Sequence, residues 1–90
     1  MAKYTVGIDF GTLSARALVV EVATGRELAS ATMDYPHQVM TRALPDGTPL
    51  KPDWALQHPE DYLLCLQKVV HEAVQLSGVN PDDIIGVGVD

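Results

Sequence analysis

The amino-acid sequence predicts an α/β fold of order βββαβ: an antiparallel meander, one helix, and a last strand that returns parallel to the first. Three observations carry this. Residues 4–10 and 84–90 alternate between apolar and small or polar side chains, the two-residue period of a strand with one buried face. The strand-like runs up to Tyr35 are joined by short turns, which suit antiparallel neighbours. One apolar stripe at helical spacing then separates them from the final strand.

In the first strand Tyr4, Val6, Ile8 and Phe10 share one face, and Thr5, Gly7 and Asp9 share the other. Gly11-Thr12-Leu13-Ser14 is the predicted turn, with Gly11 supplying backbone freedom. Residues 15–22 are rich in β-branched and aliphatic side chains and read as the second strand. Residues 23–26 turn the chain again, and 27–35 form the third strand. Between 36 and 58 the pattern dissolves. Five of the six prolines fall in or beside this stretch, and Asp46-Gly47 is a turn signal. So long a loop is uncommon in a compact domain and is usually functional or disordered. Trp54, inside it, is expected to pin the loop to the body of the protein.

Pro59 suits the first position of a helix, and Glu60 and Asp61 complement the positive end of its dipole. Tyr62, Leu66, Val69, Ala73 and Leu76 step along one face, widened by Leu63, Val70 and Val74. Gly78 suits the left-handed residue that ends a helix. Asn80-Pro81-Asp82-Asp83 is a turn, and 84–90 is the last strand. A helix between strands of one sheet favours a right-handed crossover and a parallel return. Val6-Gly7-Ile8-Asp9 and Val87-Gly88-Val89-Asp90 then run side by side, about 4.8 Å apart. Both aspartates fall towards strand carboxyl ends, the edge at which open α/β sheets bind ligands.

Ninety residues make one small domain at most. A net charge of -6 argues against nucleic acid or a membrane surface as partner, since both are anionic. It leaves room for a nucleotide held through a metal ion and backbone N–H groups. The lone Cys65 excludes an internal disulfide and fits a reducing compartment. No apolar run reaches the roughly 18 residues of a membrane span, and the start lacks a signal-peptide core. The cytoplasm is the expected location.

Two neighbouring carboxylates, Asp9 and Asp90, repel unless something positive lies between them. A hydrated Mg²⁺, which takes one or two carboxylates together with phosphate oxygens, suits the pair. The turn adds Gly11, whose backbone can donate to phosphate, the hydroxyls of Thr12 and Ser14, and the fork of donors on Arg16. Neither GxGxxG nor GxxxxGK[ST] is present, which disfavours a Rossmann site and a P-loop. His37 and His58 flank the long loop at a spacing that fits no metal site; loop hydrogen bonding is their expected role. His71 lies on the polar helix face, and nothing in the sequence marks Cys65 as an activated thiol.

Gly7-Ile8-Asp9-Phe10-Gly11-Thr12, followed by Ser14 and Arg16, resembles the first phosphate-binding hairpin of the sugar-kinase, Hsp70 and actin superfamily. Within it the chain is most similar to the FGGY carbohydrate kinases. Supporting stretches are Tyr35-Pro36-His37, Leu44-Pro45-Asp46-Gly47, Asp61-Tyr62, Ile85-Gly86-Val87-Gly88-Val89-Asp90 and, most specifically, Trp54-Ala55-Leu56-Gln57-His58-Pro59. The resemblance implies a ribonuclease H-like domain, of which residues 1–90 are the N-terminal part. It implies transfer of the γ-phosphoryl group of Mg-ATP to a hydroxyl of a ketopentose such as ribulose. Asp9 would help hold Mg²⁺, Gly11, Thr12 and Ser14 would meet phosphate, and Arg16 would neutralise charge on the transferring group. Asp90 would approach the sugar. Leu13 stands where the family often has a polar residue. The family's catalytic base lies beyond Asp90, so the 90-residue chain is expected to be inactive alone. Two other readings stay open: a freestanding phosphate- or nucleotide-binding module, and an interaction piece that associates through the open edges of its third and last strands.

Overall fold

In a computed structural model the structure describes residues 2–90. Three strands, β1 (Tyr4–Phe10), β2 (Ser14–Glu21) and β3 (Glu27–Asp34), form the expected meander. A helix, α1 (Pro59–Ser77), and a one-turn 3₁₀ segment at Pro81–Asp83 lead into the last long strand, Ile84–Val89. That strand pairs with β1 in parallel, and β2 and β3 follow on the other side of β1 in antiparallel order. The third and last long strands are the sheet edges, as the topology predicts.

The stretch between β3 and α1 is more ordered than its prolines suggest. Two short strands, β4 (Val39–Met40) and β5 (Leu56–Gln57), pair with each other, so the last long strand is numbered β6. Beyond them Ala43 bridges Pro49. The tip closes on Asp46-Gly47: Gly47 has φ +90°, and the Asp46 carboxylate accepts from the Thr48 N–H at 2.9 Å. The excursion is a distorted β-arm rather than a loop. Strands of two residues are too short for any periodic signal, which is why the sequence hides them. Trp54 is 48% exposed and sits under the Lys51 ammonium at 5.3 Å from the ring centre, so it does not pin the arm.

One face of the sheet carries the core. Val6, Ile8, Ala17, Val19 and Ala31 meet Val69 and Ala73 of α1. A second cluster joins Ala15, Tyr35 and Cys65, with Phe10 and Tyr62 edge-on to one another. So many small residues on facing surfaces let helix and sheet approach closely. The buried stripe of α1 is Asp61, Cys65, Val69 and Ala73, a row with a constant step of four. The predicted stripe is therefore corrected at its margins: Leu63 and Leu76 are 63% and 64% exposed. The helix lies over β2 and β3, with little reach to β1 and none of note to β6. Leu63 and Leu76 are left uncovered, whereas Leu66, Val70 and Val74 pack against the margin of the core. The other face of the sheet is open.

Candidate functional site

The repeated Val-Gly-x-Asp segments lie side by side in one register. Val6 faces Val87, Gly7 faces Gly88, and Ile8 faces Val89. The ladder continues past the last strand: the Asp90 N–H donates to the Ile8 carbonyl, and the Phe10 N–H to the Asp90 carbonyl, both at 2.8 Å. Asp9 and Asp90 are therefore neighbours on the open face. On the opposite flank Asp9 is the cross-strand partner of Arg16. The floor between them is Gly7 and Gly88, where an added Cβ would meet nothing within 4 Å. These residues, with Leu18 and Glu27, line an open depression of about 550 Å³. Exposed oxygen donors on a floor clear of side chains suit a hard, hydrated divalent cation such as Mg²⁺, and Arg16 adds a cationic fork.

The turn residues stand apart from that depression. The hairpin is closed by the Gly11 N–H donating to the Ser14 carbonyl at 2.8 Å. Gly11 does not have positive φ; its requirement is close approach, because a Cβ there would lie 3.1 Å from the Ser14 carbonyl oxygen. Gly11 and Thr12 line a second hollow of about 420 Å³, shared with Gln57 and Tyr62. Ser14 lines neither. The structure thus brings together Asp9, Arg16 and Asp90, and sets Gly11 and Thr12 around the corner of the hairpin.

Residues that sequence reasoning overlooked hold that hairpin. The Tyr35 hydroxyl donates to the Gly11 carbonyl at 2.8 Å. Burial, chiefly, with nearby Tyr62, Cys65 and Asp9, pushes the Tyr35 phenol above its ordinary pKa, so it keeps the proton it donates. The Gln57 amide donates to the Thr12 carbonyl at 2.6 Å, and the Tyr62 hydroxyl donates to the Gln57 carbonyl oxygen. Only the nearness of Gln57 and Tyr62 along the chain is visible in the sequence; the Thr12 carbonyl that Gln57 meets lies 45 residues away, and the Gly11 carbonyl lies 24 from Tyr35.

His37, His58 and Asp61 meet at the start of α1, with ligating atoms within 4.8 Å of one another. Asp61 is buried and accepts from the His37 ring at 2.8 Å and from its N–H at 2.9 Å. The two imidazoles stack at 4.3 Å with planes 13° apart. Ring-nitrogen lone pairs lie in the ring plane, so nearly parallel rings do not converge on one ion. The group is a clasp between arm and helix in which His37 makes the expected hydrogen bonds, whereas His58 contributes by stacking and, among the described residues, its buried Nδ1 has no hydrogen-bond partner. Cys65 is fully buried; burial, with the Asp61 and Asp34 charges, pushes its thiol pKa up, the opposite of activation.

No protein-family model matches the chain. Among curated proteins it is 51% identical over 89 residues to a ribulokinase of Geobacillus thermodenitrificans, covering 98% of this chain and 16% of that protein. It is 52% identical over 91 aligned positions to a ribulokinase of Mycolicibacterium smegmatis, again 98% of this chain and 16% of the relative. With a ribulokinase of Shouchella clausii the identity is 44%, over all of this chain and 16% of the relative. Over nearly its whole length the chain is thus a relative of the ribulokinases, among the FGGY carbohydrate kinases that its sequence resembles, and it spans about 16% of their length.

Proposed function

We propose that the chain is part of an ATP-dependent carbohydrate kinase that phosphorylates a ketopentose such as ribulose, and that it supplies the first phosphate- and Mg²⁺-binding hairpin. The observation that carries this reading is identity of about half the residues, over nearly the whole chain, to proteins named ribulokinase. The same reading makes residues 1–90 the N-terminal part of a first, ribonuclease H-like domain.

The open face fits the role. Phosphoryl transfer depends on positioning and on neutralising charge, with little covalent work for the protein. Asp9, exposed at the end of β1, would hold Mg²⁺, which when bound neutralises phosphate oxygens. Arg16, across the ladder from Asp9, would pair with phosphate. Thr12 and Ser14 would offer hydroxyls and Gly11 a close backbone. Asp90 would face the sugar. No residue of this chain is assigned as the catalytic base, and the 90-residue chain alone is expected to lack turnover.

The test is ribulose-dependent release of ADP from ATP by the full-length gene product. Activity is expected, and Arg16→Ala is expected to weaken Mg-ATP binding by at least about tenfold, the scale of one lost charge-assisted contact. ATP binding without any sugar-dependent turnover would favour a binding module instead.

A further inference from the structure

We propose that Gln57 is a positioning residue for the phosphate-binding hairpin, fixing the peptide planes at its tip so that their N–H groups are presented to a nucleotide phosphate. This rests on the kinase reading above.

The carbonyls of Gly11, Thr12 and Leu13 all accept hydrogen bonds from the segment that follows β3. Tyr35 Oη donates to the Gly11 carbonyl at 2.8 Å, Gln57 Nε2 to that of Thr12 at 2.6 Å, and Gln38 Nε2 and the Tyr35 N–H to that of Leu13 at 3.3 and 3.0 Å. A trans peptide is planar, and its N–H points opposite to its C=O. Holding the Gly11 and Thr12 carbonyls on the arm side therefore turns the Thr12 and Leu13 N–H groups away from the arm. Among the described residues neither N–H donates to a protein acceptor. Unpaired N–H groups in a tight turn are anion-binding groups.

Gln57 is the member of this set whose own position is fixed from two sides. Its backbone lies in the β4–β5 ladder opposite Val39. The Thr12 carbonyl can only accept, so it takes the amide nitrogen, and the carbonyl oxygen is left to accept from Tyr62 Oη on α1. The tip is thereby tied through one carboxamide to the helix. A glutamine that instead served only to stabilise the arm would leave nucleotide affinity untouched.

The experiment measures Mg-ATP and ribulose dissociation constants by calorimetry, and the melting temperature, on the full-length gene product. Gln57→Glu keeps the size of the side chain but sets a carboxylate oxygen against the Thr12 carbonyl. The expected result is Mg-ATP affinity weakened about tenfold, ribulose affinity within about twofold, and a melting temperature within a few degrees of the parent. Tyr62→Phe, which frees the carboxamide to rotate, is expected to weaken Mg-ATP alone by about threefold, as for one neutral hydrogen bond. Unchanged Mg-ATP affinity in Gln57→Glu, with Arg16→Ala impaired, overturns the positioning role and leaves the kinase reading standing. Silence of both variants overturns the phosphate hairpin itself. Parallel loss of both affinities with a large drop in melting temperature assigns Gln57 to stability only and overturns the proposal.

Discussion

Asp61 shows how one side chain can hold two parts of the molecule together. It belongs to the first turn of α1, where a carboxylate is favoured by the helix dipole, and that much is legible in the sequence. Its burial, and its two hydrogen bonds from His37, 24 residues earlier, are not. Burial alone raises its pKa, but the two bonds from His37, with the charges of His37 and His58, together outweigh burial and leave the carboxyl below its ordinary value. The sign follows from linkage. A carboxyl with a lowered folded pKa contributes stability that is fully present above its unfolded pKa, about 3.9, and is lost as pH falls through the folded pKa. Urea unfolding followed by circular dichroism should therefore show the parent losing stability more steeply than Asp61→Asn below about pH 4. At pH 7 the variant should be less stable than the parent, because the two bonds from His37 lose their charged acceptor. Equal slopes in acid would mean that the carboxylate gains nothing from the clasp.

At the scale of elements, the sequence was most readable where periodicity is long and contacts are local. The three meander strands, the helix and the final strand all occur within a residue or so of their predicted bounds, and the parallel return of the last strand, expected for a helical crossover, brings Gly7 opposite Gly88. Gly78, predicted to end the helix, has φ +70°, and its N–H donates to the Gln75 carbonyl. A Cβ there would meet nothing within 4 Å, so Gly78→Ala should cost only the left-handed conformation, about 1 kcal/mol, read as a lowered urea midpoint with an unchanged slope. What stayed hidden has a common cause. The pairing of β4 with β5, the bond from Gln57 to Thr12 and the clasp on Asp61 each join residues far apart in the chain through one or a few hydrogen bonds. No local pattern encodes such contacts. The helix stripe erred for a related reason: periodicity marks which residues form an apolar face, but the small side chains of β2 and β3 decide where the helix sits, leaving Leu63 and Leu76 uncovered. The candidate site divides the same way. Asp9, Asp90 and Arg16 converge by register alone, whereas the surroundings of Gly11 and Thr12 depend on the arm.

The whole molecule is longer than a closed domain of its size. Its radius of gyration is 16.2 Å and its extents are 54 × 19 × 15 Å, against about 12 Å for the radius of a compact 90-residue domain. The projecting arm accounts for part of this. The rest reflects a sheet that the helix covers on only half of one face. Ile85, Val87 and Val89 of edge strand β6 are 60–65% exposed, and beside them Ile8, Leu66, Val70 and Val74 line an apolar groove between α1 and β6. An exposed edge strand with an apolar row invites pairing with a second copy, and burying those side chains is favourable by about 25 cal/mol per Å². The charge of -6 on each copy opposes contact at low ionic strength and is screened by salt. The 90-residue chain on its own is therefore expected to associate in a concentration-dependent way, more strongly in 0.5 M than in 0.05 M salt, conditions that shorten the Debye length to about 4 Å from about 14 Å. Sedimentation velocity measures this directly. Val87→Lys, which places a charge in the middle of the exposed row without touching the core, should return the chain to a monomer. A parent chain that sediments as a monomer at every concentration and salt would show that the exposed apolar row of β6 does not drive association.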